Sequence, residues 1–321
     1  MAEVSAGPLL IALTFDAEAD VFDRSFGGEA PARPGWRGIE EGIPIIDDVL
    51  RAYSDSSGSR VRATWFVRCD RQLAALFGNE NHLLEEYRGC WRQRIDRGDE
   101  IGFHPHLYRL EDGQWRQETD ATALREQTAS ALAAMRGAGF EAQSSRIGEA
   151  FGSNEVMAAL DALGIRCDST AMPGRVRRDA QRQLDWGSTT PQPYHPSVAD
   201  YREPGDSELR LLEVPMSMIE TRTDYDRQPL MRYADLSFHH HAMRDGLCAF
   251  LRDAPLLVTV THPSTVLPGI ARERHGLLSF DAGEFRRNLD FVLAECERLG
   301  RAHRFITIGE CAGLFATNHV A

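Results

Sequence analysis

Asp16, Glu18 and Asp20 stand at alternate positions just after the apolar run Leu9–Leu13. Alternate residues of an extended segment face the same way, so Asp16 and Glu18 share a face. Acids at the tip of an apolar strand are costly unless they bind a cation or handle protons. A second apolar segment, Ile101–Phe103, runs into His104-Pro105-His106, and the proline disfavours helix at His104. Two neutral imidazoles and one carboxylate form the donor set of a divalent-metal site with open positions, as hydrolysis requires. Taken alone, each stretch also reads as a solvated loop. Together they favour a metal.

Two further strand tips carry polar groups. His262 ends the apolar strand Val258–Thr261 and precedes a proline, a setting that suits a general acid. Arg146 follows Ser144-Ser145, where a guanidinium can hold a carboxylate bidentately. Trp186, Tyr194 and His195 offer either a sugar-stacking wall or ordinary loop anchors. The triplet His239–His241 lies in helical surroundings, so its members face different directions and fit a shared site poorly.

These residues need elements to position them. Leu9–Phe15, 61–67, 101–103, 144–147, 165–169, 211–216, 256–261 and 305–308 read as strands. Helical faces recur between them, at Ile39/Ile43/Ile46/Leu50, Leu84/Tyr87/Trp91/Ile95, Leu124/Thr128/Leu132/Met135, Val156/Leu160/Leu163 and Phe285/Leu289/Val292/Cys296. Gly98, Gly164 and Gly300 stop three of them. Alternating strands and helices imply a parallel sheet covered by helices, with seven or eight strands allowing a nearly closed barrel. One domain over residues 1–321 is expected, with an irregular excursion at 171–208. The polar candidates then fall at the C-terminal ends of the strands, where α/β barrels carry their sites.

Composition narrows the function. A net charge of −12 disfavours nucleic acid and anionic membranes as partners, and no apolar stretch is long enough to span a bilayer. All 36 basic residues are arginine, which excludes Schiff-base, pyridoxal-phosphate and P-loop lysine chemistry. No basic segment followed by a long apolar one opens the chain, and the six cysteines are scattered. A cytoplasmic protein with reduced thiols is expected.

In order and spacing, these motifs resemble those of the NodB-homology polysaccharide deacetylases, carbohydrate esterase family four, over roughly residues 8–310. Thr14-Phe15-Asp16-Ala17-Glu18 is similar to the first motif, Gly102-Phe103-His104 to the second, Ser145-Arg146 through Asn154 to the third, and Thr259-Val260-Thr261-His262-Pro263 to the last. Arg37–Pro44 followed by Ala63–Phe66 also fits. The resemblance implies a distorted (β/α) barrel of about seven parallel strands. It also implies hydrolysis of an N-acyl group on an amino sugar, assisted by a divalent metal, with zinc first and iron, cobalt or nickel also suited to the donors. Asp16 becomes the base, Arg146 its orienting partner, His262 the acid, and Glu18 and His104 metal ligands.

Three positions depart from the pattern. The usual Asp-Asp pair is Asp16-Ala17-Glu18, so either acid is open as the ligand. Tyr108 stands four beyond His104, where the family has a histidine, leaving His106 to supply the second imidazole. Ile147-Gly148-Glu149 lacks the third motif's proline. The implied substrate is a soluble amino-sugar derivative or glycosylated metabolite, and a homo-oligomer is compatible with the sequence. Alternatives are a cyclic amide or ureide hydrolase on the same scaffold and a sugar-binding relative without catalysis. A cupin-like iron enzyme is a third, suggested by His104-x-His106 followed by Glu111.

Overall fold

The computed structural model describes residues 7–21, 34–179, 182–206, 208–271 and 275–315. Eight strands form the main sheet: β1 (Leu9–Ala17), β2 (Ala63–Arg68), β3 (Glu100–His104), β4 (Ser144–Ser145), β5 (Cys167–Asp168), β6 (Leu212–Glu213), β7 (Leu256–Thr261) and β8 (His303–Phe305). Their order is β6-β5-β4-β3-β2-β1-β7, with β8 also paired to β1. β1 pairs in parallel with β7 and β8, and β2 to β6 pair in parallel one after another. β2 and β7 are buried at every position and β1 at all but Leu10. Burial on both faces is why these strands read as unbroken apolar runs rather than as alternation.

Nine helices are described: α1 (Ile43–Leu50, entered through a π-turn at Gly38–Gly42), α2 (Arg71–Phe77), α3 (His82–Glu86), α4 (Arg88–Arg97), α5 (Ala121–Gly137), α6 (Asn154–Ala162), α7 (His240–Leu251), α8 (Ala282–Arg298) and α9 (Cys311–Leu314). Local chemistry sets their ends. Asp70, Asp120, Ser153 and Asp281 accept backbone N–H bonds in the first turns of α2, α5, α6 and α8, each cap worth about 1 kcal/mol. Gly98 closes α4 at φ 88°. No helix among the described residues is long and apolar enough to cross a membrane.

The chain divides into two compact units. Unit 1 takes the described residues of Met1–Phe22, Gly35–Ala63 and Ser217–Ile306, and unit 2 those of Asp23–Pro34, Thr64–Met216 and Thr307–Ala321. In unit 1, β1 and β7 run parallel with Phe15 opposite Thr261, so the next residues, Asp16 and His262, leave the two strands side by side. In unit 2, Arg68 lies opposite His104, Phe103 opposite Ser145, Ser145 opposite Asp168, and Asp168 opposite Glu213.

Three antiparallel hairpins, Tyr108–Glu111 with Gln114–Gln117, Val176–Arg178 with Gln183–Asp185, and Met218–Thr221 with Leu230–Tyr233, interrupt the alternation expected from sequence. The second lies in the stretch 171–208, which is more regular than its composition suggested. The first overturns the cupin alternative. Glu111 is an exposed hairpin residue beside Arg109 and Arg116, and the main sheet is parallel and interleaved with helices rather than a β-sandwich.

Candidate metal centre and its surroundings

Unit 1 supplies the acids. Asp16 is buried in the last turn of the strand, and Glu18 is half-buried one step beyond its end. The ring Nε2 of His262 lies 3.0 Å from Glu18 Oε1. Burial works against a charged imidazolium here. The hydrogen bond that His262 donates to Glu18 and the charges of Glu18, Asp16 and Asp235 outweigh it and lift His262 to about 9.

Asp235 is one of two buried acids that sequence reasoning missed. It is fully buried, and its Oδ1 accepts from Ser237 N–H, Ser237 Oγ and Thr261 Oγ1 at 2.7–2.8 Å. Burial raises its own carboxyl against those bonds and the His262 charge. The spacing Asp235-Leu236-Ser237 is a local turn signal, and nothing in it points to a histidine 27 positions on.

The His262 carbonyl accepts Thr265 N–H and Oγ1, which sets the turn Pro263–Val266. Gly42 packs beneath that turn, where a Cβ would lie 2.2 Å from Pro263 O. Asp20 takes a separate role: it accepts Arg37 N–H and Gly38 N–H at the start of the π-turn.

Unit 2 supplies the imidazoles. His104 is buried at the end of β3, and its Nδ1 lies 2.6 Å from the Arg146 carbonyl oxygen. A carbonyl only accepts, so Nδ1 carries the proton and Nε2 the lone pair, the tautomer a metal ligand needs. The His106 ring stands edge-on to His104, with centroids 5.1 Å apart. Its backbone N–H donates to Asp70 Oδ2 at 3.1 Å, and the same carboxylate takes Arg68 Nε at 2.7 Å. Burial would raise Asp70, but Arg68 and His106 hold it below the usual carboxylate range. Gly148 seats the His106 ring closely, since a Cβ there would lie 2.2 Å from Cδ2.

One donor atom from each of Glu18, His104 and His106 lies within 4.8 Å of the other two. No other group of three His, Cys, Asp or Glu side chains among the described residues meets that condition. A carboxylate with two imidazoles, one of them fixed as the Nδ1–H tautomer, fits a divalent cation such as zinc.

The remaining candidates each have partners of their own. Arg146 is buried, with Nε donating to Ser169 O and Nη2 to Ser169 Oγ at 2.8 and 3.1 Å, and its guanidinium lies over the Phe66 ring. Trp186 is fully buried and donates Nε1–H to Ala150 O, and Tyr194 is buried and donates to Tyr201 O. Both rings are packing elements in unit 2. Half-buried His195 contacts Leu211 O through Nδ1. His239 and His241 stack on each other, while His240 meets Asn288 Oδ1.

No protein-family model matches the sequence, and no curated protein matches it. Solved structures do match. A protein provisionally described as a polysaccharide deacetylase, from Mycobacterium smegmatis, is 17% identical over 98% of this chain and 96% of its own, with a TM-score of 0.52. Another, provisionally described as a glycoside hydrolase/deacetylase, from Parabacteroides distasonis, is 14% identical over 99% of this chain and 73% of its own, with a TM-score of 0.58. The chain therefore has the fold of these polysaccharide-deacetylase-like structures.

Proposed function

We propose that this protein is a metal-dependent hydrolase of the NodB-homology type that removes an N-acyl group, N-acetyl in the simplest case, from an amino sugar or a glycosylated metabolite. The observation that carries the reading is the convergence of Glu18, His104 and His106. Those three residues would hold the cation, with Glu18 rather than Asp16 as the acidic ligand. Bound there, the cation would acidify a water and polarise the acyl carbonyl.

Asp16 takes the proton of the attacking water, and Arg146, braced by Ser169, serves as its cationic partner. His262 delivers a proton to the departing amine, which is too basic to leave as an anion. The Asp16 and Asp235 carboxylates beside His262 favour its protonated form. As the tetrahedral centre forms, a backbone N–H helps hold its oxygen.

The test is acetate release from a panel of N-acetylated amino sugars, with zinc- or cobalt-loaded protein and with chelated protein. Release by the loaded form that chelation abolishes and metal restores supports the reading. Release indifferent to chelation contradicts it.

A further inference from the structure

Ser145, Asp168 and Glu213 sit side by side on β4, β5 and β6, and all three are fully buried. Ser145 Oγ donates to Asp168 Oδ1 at 2.5 Å. Two carboxylates in so dry a place do not both ionise. Burial pushes both upward, and the Asp168 charge drives Glu213 well above the carboxylate range. Asp168 Oδ2 and Glu213 Oε2 have no protein donor, yet the two side chains are within hydrogen-bonding reach. A single shared proton satisfies both oxygens. The charged and titratable neighbours are the Arg146 guanidinium, which favours the ionised Asp168, and the Tyr194 hydroxyl, raised chiefly by burial and then by Glu213.

The other oxygen of Glu213 reaches outward. Oε1 accepts Thr170 N–H at 3.1 Å and Ala171 N–H at 2.8 Å. Thr170 Oγ1 in turn accepts Ile147 N–H at 2.8 Å. That N–H belongs to the same peptide group as the Arg146 carbonyl, which accepts Nδ1–H from His104. Hydrogen bonds at both ends of one peptide polarise each other, so the acceptor at Thr170 strengthens the carbonyl's hold on His104.

We propose that Asp168 and Glu213 are positioning residues: through Thr170 and the 146–147 peptide they fix the proton of His104 on Nδ1 and so orient Nε2 as a donor. The consequence for metal affinity rests on the proposed function. The proton's placement does not. Ser169, between Asp168 and Thr170, braces the Arg146 side chain, so the same segment also steadies the arginine.

The experiment uses metal-free full-length protein with 15N-labelled histidine, and zinc titration of the same samples. Wild type should show His104 as the Nδ1–H tautomer with a slowly exchanging ring proton. T170V removes the acceptor at almost constant volume. It should speed exchange of that proton and weaken zinc binding by roughly tenfold, the scale of a lost outer-shell partner. T170S restores the hydroxyl and both properties, and E213Q, which keeps the acceptor and can donate to Asp168, stays close to wild type. T170A carries the same expectation as T170V if the valine variant does not fold. Unchanged exchange in folded T170V or T170A overturns the relay. Faster exchange in a protein that binds no zinc at all upholds the relay and overturns the metal reading instead.

Discussion

Unit 1 surrounds His262 with Glu18, Asp16 and Asp235, whereas unit 2 fastens His104 to a neutral backbone carbonyl. The same side chain is thereby given two characters. Carboxylates around an imidazole stabilise its charged form and make it a proton carrier. A carbonyl on one ring nitrogen leaves the other as a fixed lone pair. The wiring beyond the first contact differs as well. Asp235 acts on His262 through charge, while Asp70, Thr170 and Glu213 act on the imidazole loop through backbone N–H groups.

The widest separation of the two sides comes from removing each imidazole. H104A is expected to lose stoichiometric zinc binding and turnover together. H262A is expected to keep zinc and lose about 10²- to 10⁴-fold in turnover, the range for a general acid. Zinc content and initial rates on the two variants check this, and equal zinc loss in both would erase the distinction.

Next in size is the buried Arg68–Asp70 pair beneath His106. R68M leaves a buried carboxylate without its cation and should destabilise the protein by about 3–5 kcal/mol in urea unfolding. D235N leaves His262 its contact with Glu18 and should be milder.

Two glycines offer matched local breaks. G148A pushes a methyl into the His106 ring and should weaken zinc binding by roughly tenfold, as expected for a disturbed ligand support. G42A pushes a methyl into Pro263 and should lower turnover with zinc affinity kept. G89A, with open space around its Cβ position, is the neutral control.

The smallest effect is a pH dependence in unit 2. The folded-state pKa of Glu213 lies above its unfolded value, so the native state holds more protons. Its stabilising contribution is complete below the unfolded value of about 4.3 and declines as pH rises through the folded one. E213Q removes that decline. Its stability relative to wild type should therefore increase with pH across the neutral range, as followed by urea midpoints, and a pH-independent difference would contradict the shared proton.

Sequence carried the donors because they sit at the ends of strands whose apolar runs are unmistakable. His104 and His106 stood out from strand periodicity, whereas Glu18 stood level with Asp16 and became the ligand candidate only through the family resemblance. Asp70 and Asp235 were invisible for a physical reason: each reads locally as a helix cap or a turn, and its second role depends on a partner far along the chain. Asp20, the third acid of that run, accepts Arg37 and Gly38 N–H at the start of the π-turn. Trp186 read equally as a stacking wall or a loop anchor because exposed and buried tryptophans look alike in a polar stretch, and its burial and its bond to Ala150 O favour the anchor. The three hairpins escaped because their strands of three or four residues carry no measurable period.

The most direct measurement is anomalous diffraction at the zinc edge from crystals of zinc-loaded protein. The account predicts one strong peak at about 2.0–2.2 Å from a Glu18 carboxylate oxygen, from Nε2 of His104 and from a ring nitrogen of His106. Zinc bound elsewhere, with both imidazoles clear of it, would contradict it.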